Sequence, residues 1–335
     1  MKVLFVNEAG VKEMLPMGPC VDLMREALAT YARGDVVLPL RSKVGLPDGT
    51  GLLGLMPGYL GQPRSFGLKV VSVMPGNHGT PYDSHQGVVM LFGLVHGEPL
   101  AIIDATAITA IRTAAASAAA TDALANKDAG DLALIGSGTQ GRTYLAAMQA
   151  VRTLRRVRIW SRSRANAERF AQEEKMSTGL TIEVSATAEE AVRGADIICT
   201  TTSSVQPVLL GDWMAPGAHV NAVGSCFAAN RELDTEAVRR SRYFTDCRES
   251  CVNEAGDFLI PRKEGAIDDA HLLGEIGEVF LGRIAGRLSP LDVTIYESLG
   301  IAVEDLASAH YIHQRARETG GGTWLEWGGP PGEAG

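Results

Sequence analysis

The chain is short of cysteine, of aromatic residues, of net positive charge and of long apolar runs. Its 335 residues include five cysteines, Cys20, Cys199, Cys226, Cys247 and Cys251. An odd, scattered set excludes a disulfide-stapled scaffold and fits thiols kept reduced. Cys247 and Cys251 have no second pair and no His at ligand spacing, so no metal site is expected. Lys and Arg total 31 against 39 Asp and Glu, a net charge of −8, and no basic tract is long enough to hold nucleic acid. The longest apolar stretch, around Ala114 to Ala120, falls short of the ~20 residues that cross a bilayer. The N-terminus, MKVLFVNEAG, lacks a signal-peptide apolar region and cleavage site. These absences predict a cytoplasmic protein with no membrane and no nucleic-acid partner. The length predicts two domains, and 45% hydrophobic content is ample for their cores. The Gly/Pro-rich tail after Gly320 is expected to be partly mobile.

What is present is organised around Asp131-Leu132-Ala133-Leu134-Ile135-Gly136-Ser137-Gly138-Thr139-Gln140-Gly141. A short apolar run enters a glycine-rich turn that opens a helix, read as Gly141 to Val151. Gly136 serves the tight turn, Gly138 lets backbone approach a pyrophosphate, and Gly141 permits close helix–strand packing. The helix start presents unpaired N–H groups and a positive dipole end to phosphates. A bare G-x-G-x-x-G also occurs in purely structural turns. Here a second strand, Val157 to Trp160, completes a βαβ unit of the expected ~30 residues. That strand ends in Ser161-Arg162-Ser163-Arg164 rather than in an acid. A carboxylate would bond the ribose hydroxyls of NAD and repel a 2′-phosphate, whereas Arg162 between Ser161 and Ser163 attracts one. The pattern favours NADP(H), with NAD(H) the second choice and two arginines solvating a loop the plainer alternative.

Before this turn, residues 3–6 read as a strand and Met17 to Arg33 as a helix with Gly34 just past its end. Leu38 to Val44, Gly51 to Met56, Ser65 to Val73 and Gly87 to Phe92 read as strands of a mostly antiparallel sheet. Lys69 interrupts an apolar strand, and a buried lysine there requires a partner. Leu100 to Asp104 is a further strand. Ala105 to Leu124 is an alanine-rich helix carrying Arg112-Thr113. Arg112 is either a surface residue or the fork for a substrate carboxylate, and this helix is expected at a domain boundary where substrate and cofactor meet.

From residue 131 the order is strand 131–135, helix, strand 157–160, helix 165–175, strand 181–185, helix 188–193, strand 196–200 and strand 218–223. This is the alternation of a doubly wound parallel sheet, a Rossmann α/β fold. Thr200-Thr201-Thr202 would line a cofactor at the carboxyl edge, and Gly224 would let backbone approach a nicotinamide. After Gly274 the chain reads as helical, with Thr294 to Arg317 a long amphipathic run.

Taken together, these segments resemble the ornithine cyclodeaminase/mu-crystallin family over nearly the whole chain. The matching motifs are Leu55-Met56-Pro57, Gly67-Leu68-Lys69-Val70, Ser84-His85-Gln86-Gly87, Thr109 to Ala115, Gly136 to Gln140, Val223-Gly224-Ser225 with Arg231-Glu232-Leu233-Asp234, Glu254 to Asp257, and Ser298 to Asp305. The resemblance implies a substrate-binding and dimerisation domain over 1–113 and 303–335, with a Rossmann domain over 114–302 inserted between and the active site in the cleft. It implies a homodimer. It implies that Arg41, Lys69 and Arg112 hold the carboxylate of an amino or imino acid, with Lys69 the leading proton-transfer residue and His85 a second candidate. Ser84, His85, Thr113, Thr201, Val223 and Ser298 would lie near the cofactor, beside the turn Gly136, Ser137, Gly138, Thr139, Gln140 and Gly141.

Two departures bear on the reaction. The resemblance places an aspartate after the Val-Gly pair and an acid just before Met-Pro in true cyclodeaminases. Here the first position is Cys226, and no Asp or Glu occurs between Asp48 and Asp83. Internal cyclisation loses its obvious catalyst. The expectation is an NAD(P)H-dependent reductase of a small α-imino acid, such as a cyclic ketimine, or equivalently an amino-acid dehydrogenase. An ornithine or lysine cyclodeaminase with recycled NAD, or a non-catalytic NADPH-dependent binding protein, stands as the alternative.

Overall fold

A computed structural model of the chain describes residues 1–77, 80–224 and 226–328. It divides into two compact units, one formed by Met1–Arg112 with the chain from Ile301 onward, the other by Thr113–Gly300. In chain order the first unit opens with β1 (Lys2–Val6), α1 (Glu8–Met14), α2 (Met17–Arg33), β2 (Val36–Val37), β3 (Ser42–Gly45), β4 (Leu52–Gly61), β5 (Arg64–Val73), β6 (His85–Phe92) and β7 (Pro99–Asp104), and α3 (Ala105–Leu124) carries the chain onward. The second unit holds β8 (Asp131–Ile135), α4 (Thr139–Val151), β9 (Arg156–Trp160), α5 (Arg164–Thr178), β10 (Ile182–Val184), α6 (Ala188–Val192), β11 (Ile197–Thr200) and β12 (His219–Ala222). It continues through α7 (Thr235–Arg239), β13 (Ser241–Thr245), α8 (Arg248–Glu254), α9 (Gly256–Lys263), β14 (Leu272–Glu275), α10 (Ile276–Phe280) and β15 (Val293–Glu297). Finally α11 (Ala302–Thr319) and β16 (Thr323–Glu326) return to the first unit.

The first unit is built on a mixed sheet ordered β16-β1-β7-β6-β5-β4-β2, with β3 also paired to β4. Only the β1–β7 pair is parallel. Helix α11 covers one face. It comes close because Gly58 and Gly67 face each other across β4 and β5. A Cβ on Gly67 would meet Met90 O of β6 at 2.0 Å and the Leu306 side chain at 3.1 Å, and one on Gly58 would lie 3.5 Å from Ala302 and Leu306. The missing side chains thus let β6 close on β5 and leave the first turns of α11 packed on β4 and β5, the latter the strand that carries Lys69.

The second unit is a parallel sheet ordered β10-β9-β8-β11-β12-β15-β13-β14. The chain starts at β8, runs outward through β9 and β10, then returns to β11. The order therefore reverses between β8 and β11, the topological switch point at whose carboxyl edge dinucleotides bind. Ile135, Ile198, Val220, Tyr243, Phe258 and Ile295 form part of its buried core.

Several expectations need correction. Leu38 to Val44 is not one strand: Pro39, with no N–H to give a ladder, separates β2 from β3. The helix of the glycine turn starts at Thr139, with Gly138 as its N-cap. The run Thr294 to Arg317 breaks into β15 and α11 around Gly300, whose φ of 73° ends any continuous helix. The chain after Gly274 is helical only over α10 before β15. The tail beyond Gly320 supplies β16, which pairs antiparallel with β1, and Trp327 N–H donates to Met1 O at 2.8 Å. Residues 329–335 lie outside the described residues. No described helix is long and apolar enough to cross a membrane. Cys247 caps α8 by accepting the Ser250 N–H at 3.5 Å, and burial pushes the Cys251 thiol well up.

Candidate active site

In the first unit Lys69 lies on the covered face of β5 and is 3% exposed. Its Nζ donates to Asp305 Oδ1 at 3.3 Å, the partner that a lysine in an apolar strand requires. Asp305 and Glu304 stand in the first turn of α11, where the helix dipole favours negative charge. Arg112, also 3% exposed, is no surface residue of α3. Its Nε donates to the same Asp305 oxygen at 2.9 Å, and its Nη1 donates to Glu304 Oε2 at 2.6 Å.

Burial is the largest influence on the Lys69 ammonium and takes its pKa from 10.5 down to about 8. Asp305 opposes that drop, whereas the Arg112 and Arg41 charges add to it. Arg41, half-buried in the segment before β3, is thereby placed within electrostatic reach of Lys69. His85 opens β6 next to Ser84, whose Oγ is 3.0 Å from its Nδ1. Loss of water around the ring lowers the His85 pKa, the Lys69 charge lowers it further, and Asp83 partly offsets both. Lys69, Arg112, Arg41, Ser84 and His85 all belong to the first unit. The two carboxylates that hold the cations were not singled out from sequence. Their signal lay in Glu304-Asp305 at the start of a helix, two acids with no role assigned.

The second unit carries the glycine turn. Gly136 has φ 118°, and a Cβ there would meet Thr201 O and Oγ1 at 2.8 Å, so the loops after β8 and β11 touch. A Cβ on Gly141 would meet Gly136 O at 2.5 Å, which makes its packing role literal. At Gly138 a Cβ would meet nothing within 4 Å. The protein leaves open the space that a pyrophosphate needs, over the helix start at Thr139 and Gln140. Ser137 Oγ donates to Ser161 Oγ at 2.9 Å, tying the turn to the end of β9. Ser163 caps α5. Arg162 is exposed and makes no hydrogen bond or ion pair with any described residue, whereas Arg164 is paired with Glu168 at 2.8 Å.

Thr113 is buried and its carbonyl accepts the Tyr144 hydroxyl at 3.4 Å. Thr201 donates to Ile135 O through both N and Oγ1. Val223 follows β12 and is half-buried. Ser298, after β15, is buried, and its Oγ has no hydrogen-bond partner among the described residues. An orphan hydroxyl beside the carboxyl edge of this sheet suits a bound cofactor. Open space at Gly138, an uncommitted Arg162 and this hydroxyl together fit a dinucleotide. Ser225 lies outside the described residues.

At Gly224 a Cβ would meet Thr202 O at 2.1 Å and Glu232 Cδ at 2.5 Å, so the missing side chain makes room for protein. Glu232, missed from sequence, accepts Thr202 N–H and Oγ1–H at 2.6 Å each and Gly224 N–H at 2.7 Å. Cys226, where cyclodeaminases are expected to carry aspartate, is half-buried with Sγ 3.7 Å from Leu299 O.

The chain is similar to known proteins over most of its length. Mouse ketimine reductase mu-crystallin is 36% identical over 293 residues, covering 87% of this chain and 90% of its own. The structure of Thermococcus litoralis Delta(1)-pyrroline-2-carboxylate reductase in complex with NADH and L-proline superposes with a TM-score of 0.93 at 34% identity, covering 96% of this chain and 99% of that one. An archaeal alanine dehydrogenase dimer with bound NAD gives 0.91 at 30% identity, covering 98% and 100%. The family model for ornithine cyclodeaminase/mu-crystallin matches residues 1–320. With the glycine turn at a Rossmann switch point and Lys69 and Arg112 gathered on one carboxylate, the chain belongs to the ornithine cyclodeaminase/mu-crystallin family.

Proposed function

We propose that the chain is an NAD(P)H-dependent reductase of a small α-imino acid, of the cyclic ketimine or amino-acid dehydrogenase type. The observation that carries this reading is the pair of buried cations, Lys69 and Arg112, held by Asp305 in a protein whose other unit has the turn of a dinucleotide site. The mouse relative is named a ketimine reductase, and the Thermococcus structure holds NADH and L-proline.

Arg112, oriented by Glu304 and Asp305, and Arg41 bind the substrate carboxylate. Lys69 donates a proton to the imine nitrogen, since with a pKa of about 8 its ammonium is populated at neutral pH and easily deprotonated. His85 relays or replaces that proton. The cofactor is held by Gly136, Ser137, Gly138, Thr139, Gln140 and Gly141, with Thr113, Thr201, Val223 and Ser298 of the same unit. When bound, the reduced nicotinamide supplies the hydride taken up by the imine carbon, leaving an amine and the oxidised cofactor. Arg162 with Ser161 and Ser163 recognises a 2′-phosphate, so NADPH is preferred to NADH. Without the two acids, at Cys226 and before Met56, nothing activates a second substrate amine for cyclisation.

The enzyme is a homodimer. Supporting this, Val37, Leu40, Val44, Leu46 and Leu53 are exposed apolar residues on the first unit, and the archaeal alanine dehydrogenase structure is of a dimer. Placement in the cytoplasm rests on five cysteines of which none is in a disulfide.

Absorbance at 340 nm tests the reading, with NADPH and then NADH, against cyclic ketimines and 2-oxo acids with ammonia or methylamine. Substrate-dependent oxidation is expected, and Lys69→Met or Arg112→Met is expected to abolish it while cofactor binding persists. Silence across the panel with ammonia released from ornithine or lysine on catalytic NAD would overturn the reductase.

A further inference from the structure

Among the buried groups of the first unit, one oxygen does double duty. Asp305 Oδ1 accepts from Lys69 Nζ at 3.3 Å and from Arg112 Nε at 2.9 Å, and both cations are almost wholly buried. Its other oxygen, Oδ2, is buried with no hydrogen-bond partner among the described residues. Asp305 therefore commits its whole hydrogen-bonding role to these two side chains.

The geometry points to Asp305 as the positioning residue of the reduction: through one oxygen it sets the spacing of Lys69 and Arg112 and holds the proton on Lys69. This rests on the reading of Lys69 as proton donor. The charged and titratable groups that face Lys69 are Asp305 on α11, Arg112 on α3 with Glu304 bonded to it, Arg41 before β3, and His85 on β6. Arg112 and Arg41 drive the proton off, as does burial, and Asp305 retains it. A deprotonated Lys69 would have no proton for the imine nitrogen, and an unanchored Arg112 would present the carboxylate at the wrong distance.

The test reads Lys69 directly. The protein is labelled with 13C at lysine Cε, seven lysines being present, and the Lys69 resonance is assigned by its loss in Lys69→Arg. Its midpoint is expected near 8 in the wild type and at least about one pH unit lower in Asp305→Asn. The alkaline limb of kcat/KM should move down by the same amount, KM for the imino acid should rise, and cofactor binding followed by fluorescence should stay within about twofold, since Asp305 bonds Lys69 and Arg112 and none of the residues assigned to the cofactor. Asp305→Glu should recover part of the midpoint. An unmoved Lys69 midpoint in folded Asp305→Asn overturns the inference.

If Asp305→Asn does not fold, the wild type still decides. An aspartate carboxyl 13C resonance should step at the Lys69 midpoint and lose that step in Lys69→Met; no such step overturns the inference. Wild-type protein that oxidises no NAD(P)H with any imine defeats the reductase reading instead, while the titrations continue to judge Asp305.

Discussion

Gly141 stands against Gly136 so closely that a Cβ on the first would meet the carbonyl oxygen of the second at 2.5 Å. Neither partner can yield cheaply, because one is backbone and the other begins a 13-residue helix. Gly141→Ala is expected to cost about 1–3 kcal/mol, lowering Tm and weakening cofactor binding together. Gly138→Ala separates the two effects, since its Cβ meets no protein atom within 4 Å. Tm should move far less there while cofactor affinity falls sharply. Comparable loss of Tm in both variants would remove Gly138 from the phosphate site.

Arg162 differs from its neighbour Arg164 in having no partner among the described residues, whereas Arg164 is engaged with Glu168. Arg162→Ala is expected to weaken NADPH by roughly tenfold or more and to leave NADH nearly unchanged. Arg164→Ala should affect neither. Fluorescence titration with both cofactors checks this, and equal losses for NADPH and NADH would defeat the 2′-phosphate assignment.

The sequence exposes these features unevenly, for physical reasons. Helices Met17–Arg33 and Ala105–Leu124 were legible because Gly34 marks one end and alanine density the other. The Rossmann alternation was legible because each element is short and bounded by turn residues. Strand β15 was not, because all five of its residues are buried and periodicity cannot separate a buried strand from a buried helix. Lys69 was recognisable as a charge in need of a partner, yet that partner is 236 residues away, beyond any local pattern. Glu232 lies in Arg231-Glu232-Leu233-Asp234 with no local pattern to mark its role, because its function is to bond two other loops.

Those bonds give a further prediction. Glu232 accepts Thr202 N–H and Oγ1–H on Oε1 and Gly224 N–H on Oε2, joining the loops that follow β11 and β12. A glutamine has one acceptor oxygen and cannot serve both loops. Glu232→Gln leaves one buried N–H facing an NH2 group, at about 1–3 kcal/mol. Since Thr201 and Val223 lie in these loops, KM for the cofactor should rise about tenfold while kcat changes less. A fall in kcat with an unchanged KM would show that the loops do not set cofactor affinity.

Asp257 predicts an unusual response of stability to pH. Its Oδ1 accepts the Glu232 and Leu233 N–H groups at 2.9 and 2.7 Å, while Oδ2 is buried with no partner among the described residues. Burial first, then the Glu232 charge, push its carboxyl up to about 8 from 3.8, and Glu297 nearby is raised as well. Between those values the folded protein keeps a proton that the unfolded chain has released. Stability from this group is therefore full below the unfolded pKa and is lost as pH rises toward and through about 8. Lys69 acts in the opposite sense only above its own midpoint near 8, and His219, whose buried ring is lowered from 6.5 to about 3, does so only below the ordinary imidazole value, so the window from about pH 7 to 8 isolates the carboxyls. Wild-type Tm is expected to fall across that window. Asp257→Asn keeps the accepting oxygen and carries no charge, so its Tm should fall less and exceed that of the wild type at pH 8. The same slope in both proteins would assign the loss to the other buried carboxyls that burial raises, Glu232 and Glu297, the latter with its Oε2 holding the Tyr243 hydroxyl at 3.0 Å.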